Sequence, residues 1–145
     1  MITKAIKKAL DRKKAKNWDK TYWGFDIHET MIISNWSEEK VPLKFYPEVV
    51  EVMQMISRQE DIVCIIFTCS YPEEIIVYQK YFKEHDIHFD YINENPEVHS
   101  RAYGNYEKKP YFNVLFEDKA GFDPEEDWAK VKHTFLEYYP KAAAQ

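Results

Sequence analysis

Residues 62–67, Ile-Val-Cys-Ile-Ile-Phe, form an unbroken apolar run rich in β-branched side chains. A strand with no polar face must be buried on both sides, and such strands belong to parallel sheets joined by crossover connections. Three companions follow the same logic: residues 22–26, a short run at 89–92, and 111–116. Helical patterns separate them. Pro47 reads as the first residue of a helix whose apolar face is Val49, Val50, Val52, Met53 and Ile56, continuing to about Gln59. Pro72-Glu73-Glu74 opens a second, with Ser70 or Tyr71 near its cap and its end near His85. A third runs from Pro124 or Glu125 to Tyr138. Strands alternating with helices predict an α/β fold, a Rossmann-like parallel sheet with helices on both faces.

The first twenty residues are electrostatically distinct. They carry eight Lys/Arg and two Asp, a balance of +6 in a chain of net charge -5. Ile2, Ile6 and Leu10, with Ala5 and Ala9, recur at helical spacing among the lysines, so the segment reads as a basic amphipathic helix. Its apolar stripe can pack on the acidic remainder of the chain. Its cations can also neutralise phosphates, which makes nucleic acid a candidate partner through residues 1–20. The expected organisation is an N-terminal helical extension over 1–20, one α/β domain over 21–140, and a fraying tail over 141–145 that begins its disorder near Pro140.

Composition excludes several classes. No stretch approaches the roughly 20 apolar residues of a membrane span, and two cysteines without a signal-peptide pattern fit a cytoplasmic protein with no membrane partner. Cys64 and Cys69 lie an odd number of residues apart around a strand end, so no bridge between them is expected. Only 3 glycines occur, and no glycine-rich phosphate loop is present.

The chemistry concentrates at the strand ends. The first apolar run stops on Asp26, the second on Thr68-Cys69-Ser70, and the fourth on Glu117-Asp118, with Lys108 and Lys109 just ahead of it. Open α/β sheets bind ligands at the carboxyl ends of their strands. If these strands are neighbours, the carboxylates repel one another and call for a hard cation such as Mg²⁺. A cation, a lysine and a hydroxyl together stabilise phosphoryl oxygens, and an aspartate in line with phosphorus can attack it.

Asp26-Ile27-His28-Glu29-Thr30 resembles the Asp-x-Asp-x-Thr first motif of the haloacid dehalogenase (HAD) superfamily. Thr68 is similar to the second motif of that family, Lys109 to its third, and Glu117-Asp118 to its acidic fourth, with Asp123 a further acid nearby. Residues 89–96 look like the corresponding stretch of small capless bacterial and phage members described as hydrolases or nucleotidase-like proteins. The resemblance covers roughly residues 20–130 and leaves the basic helix outside.

The resemblance implies a HAD-like core with no cap domain. The function it implies is Mg²⁺-dependent hydrolysis of a phosphorylated small molecule or nucleotide through an aspartyl phosphate on Asp26. The metal would be held by Asp26, the backbone carbonyl of His28 and Glu117 or Asp118. Thr68, with Cys69 and Ser70 beside it, would bind the phosphoryl oxygens, and Lys109 would steady the nucleophile, Lys108 being the neighbouring alternative. Two positions depart from the family pattern. His28 stands where the phosphatases carry a second aspartate as acid and base, and Glu117 where relatives often have aspartate. An imidazole of ordinary pKa near 6.5 can transfer protons, while loss of that help lowers rates by about 10²–10⁴. The alternative is therefore a catalytically degenerate domain that binds a ligand or macromolecule. The 31–46 connection, with Trp36, and the 97–108 loop are the segments placed to shape such an open site.

Overall fold

The computed structural model describes residues 1–34 and 43–144. In chain order it contains α1 (Ile2–Lys16), β1 (Thr21–Phe25), α2 (Val49–Ser57), β2 (Ile62–Ile66), α3 (Pro72–Glu84), β3 (Tyr91–Ile92), β4 (Val114–Phe116) and α4 (Asp127–Tyr138). Short 3₁₀ turns lie at Asp118–Ala120 and Pro140–Ala144. The sheet has the order β3-β2-β1-β4 and every pairing is parallel. No described helix is long and apolar enough to cross a membrane.

Register assigns the faces. Trp23 pairs with Cys64 and Val114, and Phe25 with Ile66 and Phe116, so these six side chains share one side of the sheet. That side carries the main core. Phe116 stacks on Phe25 at 4.5 Å and on Trp128 of α4 at 5.5 Å, while Phe25 meets Phe89, which packs on Phe82 of α3. Ile2, Ile6, Ala9 and Leu10 of α1 and the apolar face of α2 join the same cluster. Truncating a ring such as Phe116 to alanine would cost about 3–5 kcal/mol.

This arrangement departs from the two-sided helical cover that strand–helix alternation predicts. All four helices contribute to one core face. The chain leaves β3 at one edge and returns to β4 at the other, and the residues between lack helical periodicity but are rich in rings. They cover the second face as an irregular aromatic layer. Phe112 lies over Gly24, where a Cβ would come within 2.6 Å of its ring, and it meets Phe67 edge-on at 5.5 Å. Tyr111 packs edge-on against Tyr22.

Element boundaries moved for local reasons. The edge strands are shorter than their apolar runs because a side chain replaces backbone at each entry. Asp90 accepts from the Cys64 amide (2.8 Å) and Asn113 accepts from the Tyr22 amide (2.7 Å), so β3 begins at Tyr91 and β4 at Val114. Pro47 does not open α2; Glu48, at φ 69°, intervenes and the helix starts at Val49. Pro72 is the first residue of α3, and Glu74 accepts from the Tyr71 amide at 3.1 Å. α4 starts later than expected because Asp123 and Asp127 bind each other's turn: Asp123 N–H donates to Asp127 Oδ2 at 2.8 Å.

The segment expected to fray is placed against the body of the fold. Residues 140–144 form a 3₁₀ turn with Ala142 buried, and Tyr139 donates to Asp61. Lys13 of α1 pairs with the same Asp61 at 3.2 Å, so the basic helix and the chain end are tied to one carboxylate.

Candidate active site at the carboxyl ends of the strands

The chain runs outward from β1 to β2 and β3, then returns to β4 on the other side of β1. β1 is therefore the point where strand order reverses, and ligand crevices in open α/β sheets form there. Ladder bonds continue one residue past its end. The Asp26 amide donates to Phe116 O at 2.9 Å, and the Phe67 amide to Phe25 O at 2.8 Å. The residues that follow each strand, Asp26, Thr68 and Glu117-Asp118, are thus set along one edge.

The acids converge. Asp26, Glu117 and Asp118 each offer a carboxylate oxygen, and these oxygens lie within 4.8 Å of one another. All three residues are half-buried. Burial pushes the Asp26 carboxyl up to about 7; the Ile27 amide, donating to Oδ1 at 2.9 Å, opposes this, and the charges of Asp118 and Glu117 add to it. The cluster is a concentration of negative charge that a cation would relieve. Its donors are all carboxylate oxygens, which fits a hard divalent ion better than a soft one. Glu117 Oε1 also accepts from the Lys119 amide at 3.1 Å, which holds the longer side chain at the start of the 3₁₀ turn. Asp123 is exposed and occupied in the turn before α4.

The loop after Asp26 is a single wide helical turn. Met31 and Ile32 amides both donate to Ile27 O at 3.0 Å, and Glu29 takes a left-handed φ of 58°. Its far side is anchored from α4, where Trp128 Nε1 donates to Thr30 O at 2.8 Å. Residues 31–33 then pair with 44–46 as the base of a hairpin: Ile33 N–H donates to Lys44 O and Tyr46 N–H to Met31 O. Trp36 and the rest of the expected flap, residues 35–42, lie outside the described residues. Tyr46 reaches back to Glu29, donating to Oε2 at 2.9 Å.

Thr68 is buried and hydrogen-bonded on several sides. Its Oγ1 pairs with Ser70 Oγ at 2.7 Å and accepts from the Ser70 amide at 3.1 Å. Asn93, left-handed at φ 54°, clamps the backbone: its Oδ1 accepts from Thr68 N at 2.8 Å and its Nδ2 donates to Thr68 O at 2.9 Å. Asn93 falls within the 89–96 stretch, to which the sequence assigns no role at Thr68. A strand-end asparagine beside a residue needing fixed orientation is the signal that could have found it. Cys69 is exposed and free.

His28 is half-buried, with Nε2 3.0 Å from the hydroxyl of Tyr78 on α3 and the two rings edge to face. Tyr78, inside the helix that Pro72-Glu73-Glu74 opens, is thus a partner of the site loop. Lys108 and Lys109 are exposed and line a groove of about 270 Å³ with residues 93–96. Among the described residues neither lysine forms an ion pair. The structure therefore brings together Asp26, Glu117 and Asp118, and Thr68 with Ser70. Neither of the two grooves, of about 570 and 270 Å³, is lined by Asp26, Glu117 or Asp118.

A scan against protein-family models, a search of curated proteins and a search of solved structures each returned no match to this chain.

Proposed function

We propose that this protein is a HAD-like, Mg²⁺-dependent phosphomonoester hydrolase in which Asp26 is the nucleophile. The observation that carries this reading is the meeting of the Asp26, Glu117 and Asp118 carboxylates at the reversal point of the sheet. A divalent cation held by Asp26, Glu117 or Asp118, and the His28 carbonyl would keep Asp26 ionised at neutral pH and offset charge on the phosphoryl oxygens.

The residues have separate tasks. An Asp26 oxygen attacks phosphorus, the ester P–O bond breaks, and the leaving oxygen takes a proton; water then cleaves the acyl phosphate and releases inorganic phosphate. Thr68 and Ser70 supply hydroxyls to the phosphoryl group, and the Asn93 clamp keeps Thr68 oriented. His28, held by Tyr78, is the candidate proton donor to the leaving oxygen and acceptor from water. Lys109 or Lys108 would have to approach from the 97–108 loop to steady the transferred group. A phosphorylated small molecule or nucleotide is the substrate class.

A second reading is a degenerate HAD-like domain that binds a ligand without turning it over. It draws support from His28, which replaces a carboxylate and is engaged by Tyr78, and from Lys108 and Lys109 forming no ion pair among the described residues. Hydrolysis of a panel of phosphomonoesters and nucleotides, with and without Mg²⁺, separates the two. Turnover that requires both Mg²⁺ and Asp26, lost in Asp26→Asn, supports catalysis; Mg²⁺ binding by folded protein without turnover supports the degenerate reading.

A further inference from the structure

A groove of about 570 Å³ lies away from the acid cluster, between the α1–β1 link and the aromatic layer. Its walls include Trp18, Tyr22, Tyr103 and Tyr111. Tyr103 is 70% exposed and leans on Tyr111 with ring centroids 5.2 Å apart, so one face of an aromatic pair is open to a ligand. Trp18 is half-buried with the Lys16 ammonium 5.7 Å from its ring centre. Glu97, an acid in the groove, is engaged by Lys20 at 3.0 Å and by the Tyr91 hydroxyl; Asp19 is the other.

α1 supplies cations beside this groove, beginning with Lys16 at Trp18. Arg12 and Lys16 stand one helical turn apart on α1, and Lys16 is the one at Trp18. On α1, Lys4, Lys7, Lys8, Arg12, Lys14 and Lys16 are exposed and have no ion-pair partner among the described residues; only Lys13 is paired. The groove shares Val98 and Tyr111 as walls with a smaller one lined by Lys108, Lys109 and Asn93. Open rings next to unpaired cations are the features that bind single strands, through base stacking and phosphate neutralisation. An anionic membrane fits less well, because the apolar stripe of α1 that would enter lipid is buried in the core.

We propose that this aromatic groove and the exposed cations of α1 bind a single-stranded polynucleotide, with bases stacked on Tyr103 and Trp18 and phosphates along α1. The assignment is independent of the phosphatase reading. The test is fluorescence anisotropy of a labelled oligothymidylate about twelve nucleotides long, titrated with the full chain. Binding should weaken roughly tenfold or more between about 50 and 200 mM salt, as expected for several phosphate contacts. Tyr103→Ala, which spares the core, should weaken it by roughly tenfold through loss of one stack. Arg12→Glu combined with Lys16→Glu should flatten the salt dependence. The proposal is overturned if the oligonucleotide does not bind at low salt, if Tyr103→Ala binds as tightly as wild type, if duplex of equal length binds better, or if anionic phospholipid vesicles capture the protein while the oligonucleotide does not.

Discussion

The amide of Asp26 donates to the carbonyl of Phe116 at 2.9 Å, and this bond fixes where the acids meet. It carries β1–β4 pairing to the last residue before Glu117, so the chain places Asp26 opposite Glu117 and Asp118 before any side chain is considered. The backbone ladder sets the cluster, and the helices packed on Phe116 and Phe25 hold the ladder.

The raised Asp26 pKa has a consequence for stability. Its value near 7 in the folded protein exceeds the ordinary 3.8, so between these pH values the native state binds the extra proton. This group's contribution is therefore full below about pH 4 and is lost as pH rises through about 7. Metal-free Asp26→Asn should melt at a higher temperature than wild type at pH 8, and the difference should shrink towards pH 4. Mg²⁺ should raise the wild-type Tm more at pH 8 than at pH 6, and should do little for Asp26→Asn. Thermal melts across pH, with and without Mg²⁺, measure all three.

Gly24 is required by Phe112. A Cβ there would lie 2.6 Å from the ring, and both groups sit in a packed layer. Gly24→Ala should destabilise the protein by about 1–3 kcal/mol, and Phe112→Leu in the same chain should recover part of the loss. Urea denaturation of the two single variants and the double variant gives the coupling.

Asn93 tests the second site element. Asn93→Gly keeps a residue suited to φ 54° while removing both bonds to the Thr68 backbone. If Thr68 must be held in place for phosphoryl binding, kcat/KM should fall by roughly 10²-fold with only a modest change in Tm. Steady-state kinetics beside a melt separates positioning from folding.

Much of this architecture was legible in the sequence, for identifiable reasons. The β2 run could only be a buried strand, and the Pro72-Glu73-Glu74 start of α3 carries its own capping chemistry, so both were placed within a residue. Asp26, Glu117 and Asp118 could be assigned to strand ends from the apolar runs alone. Their proximity could not, because it depends on β1 lying between β2 and β4. The one-sided helix layer was hidden for a similar reason: residues 93–113 have no period to read, and their rings find the sheet only through long-range contacts such as Phe112 on Gly24. Asp90 and Asn113 shortened the edge strands by substituting side chain for backbone, which local propensity does not register. Asn93 and Tyr78 act on Thr68 and His28 from 25 and 50 residues away, beyond any local pattern.

The most direct test of the central claim is acid-quench mass spectrometry of the protein mixed with Mg²⁺ and an activated phosphomonoester such as p-nitrophenyl phosphate. His28→Ala should be run beside wild type to slow hydrolysis of the intermediate. The account predicts one phosphoryl group on the peptide containing Asp26, absent without Mg²⁺ and absent in Asp26→Asn. A phosphoryl group on another residue, or an Asp26 peptide unmodified in both proteins, would contradict it.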